Sequence, residues 1–542
     1  MEFNILNTIK EISQSIKERE LVLFCGAGIS RNSGLPIADE LKEVILKNLP
    51  IDVGDIDKII KSIPFEAFME AIAGEDIISS SKSIDISDIL KIYNLGEINT
   101  NHILIAKLAK KNYLKMIITT NFDLLIEKAL EREGLEKGKD FDVYYEENQF
   151  SRIDFRNICS DKRIIIIKLH GSIEDIESIR AITKKVGCKI FSDKRIDIIR
   201  YIFSSGTHKQ VLILGYSCSD VFDIMPQVHS IEEKQKDITL IDHSNGDEFI
   251  ECLKIKEFQK FPGKRVSCNA DKFIEHLWKS FERDLGGYVI AKSTTEWKRH
   301  VDDWNDKLER TEGIKYFIAG LLFVTASRFE KAIEYYEKAL ETPKDNTDRI
   351  LEAKCYGGLG YSYYRLEDFY KAIKFYEKAL KIVRELEDQC GEARCYVGLG
   401  FPYHRLGNFD KTIHYHTEGL KIAKDIGDEF GESRCYIGLG YAYSGLRDFN
   451  RAIEYYSNGL RIAKAIGDKY GESRCYNGLG HAHIALGNFN RAIEYLFDAE
   501  AIINILEEAY YLKVIYKFLS IAYEKSGDYA NARKYRSLTE LY

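Results

Sequence analysis

The chain has 542 residues, 45% of them hydrophobic and 30% charged, and its formal net charge is −7. One hydrophobic core rarely serves such a length, so we expect two or more globular domains. The net charge is mild and no Lys/Arg-rich block occurs, so nucleic-acid binding has little electrostatic support. The lack of any run of about 18 apolar residues argues against a membrane span.

Residues 1–290 alternate short apolar runs with helical patterns. Continuous apolar runs of strand length are typical of buried parallel strands. They occur at Leu21–Cys25, Met116–Ile118, Ile164–Ile167, Val211–Leu214 and Ile238–Ile241. Helical patterns lie between them, so we predict an α/β fold with a doubly wound, mostly parallel sheet.

Four short motifs follow four of these runs. They are Gly26-Ala27-Gly28-Ile29-Ser30, Thr119-Thr120-Asn121-Phe122-Asp123, Lys168-Leu169-His170-Gly171 and Gly215-Tyr216-Ser217. Each is a loop at the carboxyl end of a strand, where open α/β sheets bind nucleotides. Arg31 stands where the ordinary dinucleotide fingerprint has its third glycine, so that general pattern is broken. Residues 51–95 have helical apolar spacing, and we expect them to form a helical insertion over the nucleotide site.

From about Gly313 the sequence repeats every forty residues. The segment Cys355–Gly360 recurs at 395–400, 435–440 and 475–480, and an aromatic and Ala pattern with helical spacing follows each copy. This looks like a tetratricopeptide array of about six units, predicted over residues 313–542 after a linker helix at 291–312. Such arrays form a superhelix whose concave face binds polypeptides, and a packing scaffold without a ligand is the alternative.

Eleven cysteines invite a disulfide interpretation, but their spacing argues against it. Cys355, Cys395, Cys435 and Cys475 occupy equivalent repeat positions, and no Cys-x-x-Cys occurs in the sequence. Buried free thiols in a reducing cytoplasm fit this pattern. The amino end mixes Lys and Glu along a helical pattern, which is expected of neither a signal peptide nor a membrane span.

Taken together, the four motifs resemble the sirtuin family, whose members break the nicotinamide–ribose bond of NAD. The resemblance implies that NAD is the substrate and that the first loop lines its diphosphate and adenosine side. It places the Gly215 turn under the adenosine ribose, although Tyr216 departs from the family's Gly-Thr-Ser. The residues that the resemblance assigns to NAD binding are Gly26, Ala27, Gly28, Ser30, Gly215, Ser217, Asp220 and Asp242.

The same resemblance implies three catalytic residues. Asn121 matches the Asn that holds the ribose edge and a water in sirtuins, and Asp123 matches the Asp that organises the nicotinamide pocket. A short polar side chain at Asp123 is equally suited to cap the following helix. His170 matches the general base of the family, and an imidazole with a pKa of about 6.5 accepts a proton at cytosolic pH.

Two departures narrow the expected reaction. Protein-deacylating sirtuins hold zinc with two Cys-x-x-Cys pairs, whereas only Cys188 lies between His170 and Gly215, so no metal is expected. The Phe-Arg that follows the family's Gly-Ile-Pro segment is also missing after Leu35-Pro36. These departures put the acyl-lysine channel in doubt and make water the expected acceptor.

The expected activity is therefore that of an NAD glycohydrolase, which releases nicotinamide and ADP-ribose. Fused to tetratricopeptide repeats, such a domain resembles prokaryotic antiphage effectors of abortive infection, in which a sensor releases NAD-depleting activity. One alternative is an NAD-dependent protein deacylase or ADP-ribosyltransferase recruited by the repeats. The other is a non-enzymatic NAD or ADP-ribose sensor, against which Asn121 and His170 argue because simple binding needs neither.

This resemblance also implies partners. We expect a protein or peptide trigger on the repeats, of phage origin as in the antiphage effectors, which releases the activity of the first domain. Homo-oligomerisation is the expected means of coupling, because no repeat carries a motif that supplies catalytic groups. Trp297 and Trp304 fall on one face of the linker helix, and we expect them to dock the array onto the first domain.

Overall fold

The computed structural model describes most of the chain. The described residues are 2–73, 87–153, 163–176, 178–179, 193–216, 224–229, 231, 236–244, 250–252, 255, 258, 261–293, 297–308, 312–342, 349–506 and 509–541. They form two compact units. The first lies within Met1–Ile45, Ile86–Lys185 and Ser192–Asn305, and the second within Leu46–Asp85 and Asp306–Tyr542.

The first unit is built on an eight-stranded sheet. Its strands are β1 (Leu21–Cys25), β2 (Met116–Thr119), β3 (Phe141–Tyr144), β4 (Ile164–Lys168), β5 (Gln210–Leu214), β6 (Asp237–His243), β7 (Ile250–Cys252) and β8 (Gly263–Cys268). Their order is β3-β4-β2-β1-β5-β6-β8-β7, and all neighbours are parallel except β7 and β8. The predicted mostly parallel α/β sheet is confirmed.

Helices of the first unit pack on both faces of this sheet. The described helices up to residue 308, of which α3 and α4 belong to the second unit, are α1 (Glu2–Lys17), α2 (Ala38–Lys47), α3 (Val53–Ser62), α4 (Phe65–Ala73), α5 (Ser87–Leu90), α6 (Thr100–Lys110), α7 (Leu125–Arg132), α8 (Glu147–Phe150), α9 (Asp193–Arg200), α10 (Ile224–His229), α11 (Ala270–Lys279), α12 (Glu282–Leu285) and α13 (Lys298–Leu308). Leu21, Leu23 and Cys25 of β1 pack with α1, α6, α7 and α11. Val22 and Phe24 pack with α9 and α10 on the other face, as alternation along a strand requires.

The four strands that precede the motifs are neighbours, in the order β4-β2-β1-β5. Their last residues pair in register: Cys25 lies opposite Thr119 and Leu214, and Thr119 lies opposite Lys168. The loops that follow therefore begin at one level and lie side by side. Sheet topology thus collects segments that are far apart in the sequence at a single edge.

The expected helical insertion is divided between the two units. Residues 87–95 stay in the first unit, where the Tyr93 ring lies 5.2 Å from the Phe122 ring in the second motif loop. Helices α3 and α4 belong to the second unit, in which an Asp55 oxygen lies 2.7 Å from an Arg328 nitrogen. The sequence did not indicate this division, because apolar spacing shows that a helix face is buried but not what buries it.

The rest of the second unit is a run of helices. They are α14 (Glu312–Thr325), α15 (Phe329–Glu341), α16 (Arg349–Arg365), α17 (Phe369–Glu385), α18 (Gln389–Arg405), α19 (Phe409–Ile426), α20 (Glu429–Gly445), α21 (Phe449–Ile466), α22 (Lys469–Ala485), α23 (Phe489–Leu506), α24 (Ala509–Ser526) and α25 (Tyr529–Leu541). In the described residues they form six successive pairs, and the predicted all-α solenoid is confirmed. None of the described helices is long and apolar enough to cross a membrane.

Rings packed on glycines hold successive pairs together. A Cβ at Gly360 would lie 2.9 Å from the Tyr376 ring, and one at Gly398 would lie 2.5 Å from it. Glycine is therefore needed wherever the ring meets a helix backbone. The same packing recurs for Tyr336 on Gly320 and Gly358, His416 on Gly400 and Gly438, and Tyr456 on Gly440 and Gly478.

Candidate active site at the carboxyl edge of the sheet

Three of the predicted site residues form one buried hydrogen-bond network. The Ser30 hydroxyl donates to Asp123 Oδ2 at 2.8 Å. Asn121 Nδ2 donates to Ser30 Oγ at 3.0 Å and to Asp123 Oδ2 at 3.2 Å. All three residues are buried. The loops after β1 and β2 therefore place the predicted Asn and Asp in direct contact, with Ser30 joining them.

This network leaves one atom of Asn121 without a partner. Both contacts of Nδ2 are with oxygen, which fixes the amide so that Oδ1 points elsewhere. Within the described part of the chain, Oδ1 is buried and accepts no hydrogen bond. A buried acceptor without a partner is uncommon and costs free energy. It is suited to accept a hydroxyl or water hydrogen from a bound substrate.

Asp123 is fully engaged inside the protein. Its Oδ1 accepts from the backbone N–H of Leu125 at 3.0 Å, at the start of α7, while Oδ2 accepts from Ser30 and Asn121. The helix-capping role and the site role are thus both present in one carboxylate. Such a group orients Asn121 and is poorly placed to act as a free acid or base.

His102, which the sequence analysis did not single out, lies behind Ser30. Its Nε2 is 3.2 Å from Ser30 Oγ, and its Nδ1 accepts from the backbone N–H of Asn99. The proton is therefore on Nε2. Burial lowers the pKa of His102 to about 4, although the nearby Asp123 carboxylate acts in the opposite direction. A neutral imidazole thus supports the network, and the capping pattern Asn99-x-x-His102 was the signal for it.

A second missed residue, Lys168, ties two motif loops together. It ends β4, is buried, and pairs with Glu127 of α7 at 2.6 Å. Its ammonium also donates to the Asp123 carbonyl at 2.5 Å and approaches the Phe122 carbonyl and the Ser172 hydroxyl. A buried ammonium needs such a set of acceptors to offset its lost hydration. Lys168 therefore fixes the Asn121 loop relative to the His170 loop.

His170 lies at the same edge, two residues beyond Lys168. It is buried, and its ring centroid is 6.3 Å from that of Phe122. Gly171 follows with a φ of +88°, and a Cβ there would lie 2.7 Å from the backbone nitrogen of Ile179. Only glycine fits this turn, which directs the chain away immediately after the imidazole.

The glycines after β1 and β5 pack backbone against backbone. A Cβ at Gly26 would lie 2.5 Å from the Gly215 oxygen, and one at Gly28 would lie 2.8 Å from Gly215 Cα. The amides of Gly26 and Gly28 donate to the carbonyls of Leu214 and Gly215, each at 2.9 Å. These two amides are already used, so the glycines here serve close approach. Gly28 is exposed and Ala27 is half-buried.

Three of the predicted NAD-binding positions remain: Ser217, Asp220 and Asp242. Ser217 and Asp220 lie outside the described residues, as does Cys188. Asp242 is the penultimate residue of β6, and its carboxylate lies 2.7 Å from an Arg265 nitrogen. Among the described residues, no group of three or more His, Cys, Asp or Glu side chains is arranged to hold a metal ion.

Fold and site together define the class: an α/β domain with a buried polar network at the carboxyl edge of its parallel strands, followed by a helical-repeat array. Residues 115–255 match the family model of the SIR2-like domain. Residues 350–425, 391–465 and 432–505 match one model of the tetratricopeptide repeat, and residues 317–350 match another. The chain therefore joins a SIR2-like domain to tetratricopeptide repeats, as the sequence analysis predicts.

Curated relatives match less than half of the chain. NAD(+) hydrolase ThsA of Bacillus cereus (strain MSX-D12) is 25% identical over 230 residues, which are 42% of this chain and 44% of that protein. NAD(+) hydrolase ThsA of Cytobacillus dafuensis is 27% identical over 220 residues, which are 39% and 38% of the two chains. The chain thus spans less than half the length of these relatives. A solved structure, a Rap protein complexed with competence and sporulation factor, shows 18% identity and a TM-score of 0.37, covering 50% of this chain and 82% of that one.

Proposed function

We propose that the first unit is an NAD glycohydrolase that cleaves NAD to nicotinamide and ADP-ribose. The observation that carries this proposal is the buried network of Ser30, Asn121 and Asp123, with the unpartnered Asn121 Oδ1 at the edge where parallel sheets bind nucleotides. The SIR2-like match and the similarity to two NAD(+) hydrolases support it. We assign catalysis to residues 1–290 and the linker helix to 291–312.

In this proposal the bond between ribose C1′ and the nicotinamide nitrogen breaks with its electron pair on nitrogen. Neutral nicotinamide leaves, and positive charge develops on the ribose. Asn121 Oδ1 accepts a hydrogen from the ribose or from the attacking water, and Ser30 and Asp123 hold its amide in place. The water oxygen bonds to C1′, and His170 takes the proton that this water loses.

We assign the adenosine and diphosphate side of NAD to the loops after β1, β5 and β6. Gly28 is exposed and lacks a side chain, so a pyrophosphate has room to approach the loop that contains Gly26 and Ala27. The backbone of Gly215 packs against this loop and holds it in place. Ser217, Asp220 and Asp242 complete the proposed adenosine-ribose side.

We also propose that the repeats, residues 313–542, gate this activity. An unrestrained NAD hydrolase would deplete the NAD of its own cell, so its activity must be held back until it is needed. A protein or peptide partner on the repeats, coupled through homo-oligomerisation, would release it as part of antiphage defence. Helical-repeat arrays provide the extended concave surface that such a partner requires.

The reaction class is tested with the purified full chain and NAD in oxygen-18 water, with and without candidate partners. Mass spectrometry of the quenched products should show nicotinamide and ADP-ribose with one oxygen-18 atom. Asn121→Ala should form neither product, whereas Asn450→Ala, at an exposed position of α21, should match the natural chain. NAD cleavage that requires an acyl-lysine peptide and yields acylated ADP-ribose would contradict the hydrolase assignment.

A further inference from the structure

One half-buried arginine of the array, Arg474, has guanidinium N–H donors that no described residue accepts. Arg474 of α22 donates through Nε to the Tyr441 hydroxyl at 3.1 Å. Among the described residues, no hydrogen-bond or ion-pair partner is found for its two terminal nitrogens. Two other arginines of the array have a carboxylate partner: Arg384 pairs with Glu392 at 2.8 Å and Arg405 with Glu367 at 2.7 Å. Arg474 therefore differs from them in having no carboxylate.

Aromatic rings surround this guanidinium. Its central carbon lies 4.9 Å from the Phe401 ring, 5.2 Å from the Tyr441 ring and 6.0 Å from the Tyr470 ring. The Tyr470 hydroxyl bonds to that of Tyr511. These residues come from α18, α20, α22 and α24, which are the first helices of four successive pairs. Equivalent helices of a solenoid line the same face, so the cluster lies on one continuous surface of the array.

The chemistry of this cluster selects its ligand. Stacking on rings offsets part of the cost of removing a guanidinium from water, but it leaves the positive charge without a counter-charge. Two unused N–H-bearing nitrogens in one plane match the two oxygens of a carboxylate. The ring walls favour a single charge next to an apolar group over a phosphate ester, which has more charge and stronger hydration.

We propose that Arg474, with Tyr441 and Tyr470, binds a carboxylate of a peptide whose neighbouring apolar side chain rests on the Phe401 ring. The proposed site specifies the chemistry of the partner that binds the repeats. It rests on the proposed function only for the effect of that binding on NAD cleavage. Binding itself is measured without NAD, so its failure and a failure of the hydrolase assignment are separate results.

The test uses the full chain and a matched pair of probes: N-acetyl-Ala-Ala-Phe with a free carboxyl group, and its carboxamide. Calorimetric titration should show saturable binding of the acid and at least tenfold weaker binding of the amide. Arg474→Gln should weaken binding of the acid at least tenfold, whereas Arg461→Gln, at an exposed position of α21, should leave it unchanged. Tyr470→Phe, which keeps the ring, should weaken it by a smaller factor and covers the case in which Arg474→Gln does not fold.

Several outcomes overturn the proposal. Equal binding of acid and amide would show that the charge is not recognised, and no saturable binding of the acid would remove the site. Binding of inorganic phosphate or ADP that depends on Arg474, without binding of the acid peptide, would assign the cluster to phosphates. Tight acid binding that is unchanged in both Arg474→Gln and Tyr470→Phe would place the peptide elsewhere.

Discussion

At the carboxyl edge of the sheet, Ser30 shares one network with His102, 72 residues away, and with Asn121, 91 residues away. In the array, by comparison, Asp388 and Asp428 each accept from a backbone N–H three residues ahead, at Gly391 and Gly431. Topology assembles the first set, whereas local repetition builds the second. A contact at the edge has no duplicate, whereas a contact in the array recurs in neighbouring pairs.

This difference predicts where a substitution acts. At the edge, loss of one group leaves the others misaligned, and the effect appears first in catalysis. In the array, stability is distributed over repeats and their interfaces, so one substitution changes stability locally. The following substitutions test this contrast, beginning with the largest expected effect.

His170→Ala should lower NAD cleavage by about 10²–10⁴-fold, because the water then loses its proton acceptor. The measurement is the initial rate of nicotinamide release, with thermal unfolding to show that the fold persists. His300→Ala, at an exposed position of α13, is the matched control and should retain the natural rate. Equal rates in both variants would remove His170 from the mechanism.

Lys168→Met should lower the free energy of unfolding by about 3–5 kcal/mol, because the Glu127 carboxylate is left buried without its cation. Chemical denaturation measures this loss. The double variant Lys168→Met with Glu127→Leu should recover most of the stability but not the activity, since the Asp123 carbonyl still lacks its donor. If the double variant regains full activity, Lys168 does not position the loops.

His416→Phe should stabilise the array by about 1–2 kcal/mol, because both ring nitrogens of His416 are buried and lack partners among the described residues. Burial lowers its pKa from 6.5 to about 3. The unfolded chain therefore takes up a proton at a higher pH than the folded chain does, and stability falls as pH decreases between these values. The variant should lose that part of the pH dependence.

The control for His416→Phe is Tyr376→Phe at the equivalent position of the preceding pair. Thermal unfolding of both variants, followed from neutral to acid pH, separates ring packing from titration. Tyr376→Phe should leave the pH dependence unchanged. A pH profile for His416→Phe that matches that of the natural chain would show that His416 is not the titrating group.

Asp55→Asn should give the smallest effect, a loss of about 1 kcal/mol in the second unit, because Arg328 is partly exposed. Burial raises the pKa of Asp55, but hydrogen bonding and charge from Arg328 outweigh it, and the pKa is lowered overall. The ion pair thus stabilises above the unfolded pKa, and this stabilisation disappears as pH falls through the folded value. Asp57→Asn, at an exposed position of α3, is the control, and an equal loss in both variants would show that the pair adds nothing.

The sequence predicted the elements that depend on local pattern. The apolar runs predicted β1, β2, β4, β5 and β6, and the forty-residue repeat predicted the helix pairs. Because the motif loops follow parallel strands, their meeting at one edge was also predictable. Contact between Asn121 and Asp123 follows from this edge together with their closeness in the chain.

Other features depend on partners that no local pattern names. In the sequence, Lys168 is only a polar residue at the end of a strand, and nothing indicates that it pairs with Glu127. His102 likewise has the pattern of an ordinary helix start. The hydrogen bond from the Gly28 amide to the Gly215 carbonyl depends on the distance between two loops. Trp297 and Trp304 belong to the first unit and are buried, and their docking role stays a prediction.

NAD cleavage at the carboxyl edge of the sheet is tested by comparing nicotinamide release by the natural chain, Asn121→Ala and Asn450→Ala under one set of conditions. Thermal unfolding of all three proteins serves as the measure of intact fold. We expect release by the natural chain and Asn450→Ala, and at least about a hundredfold less by Asn121→Ala at equal stability. Equal release by Asn121→Ala would contradict the assignment of this edge as the NAD-cleaving site.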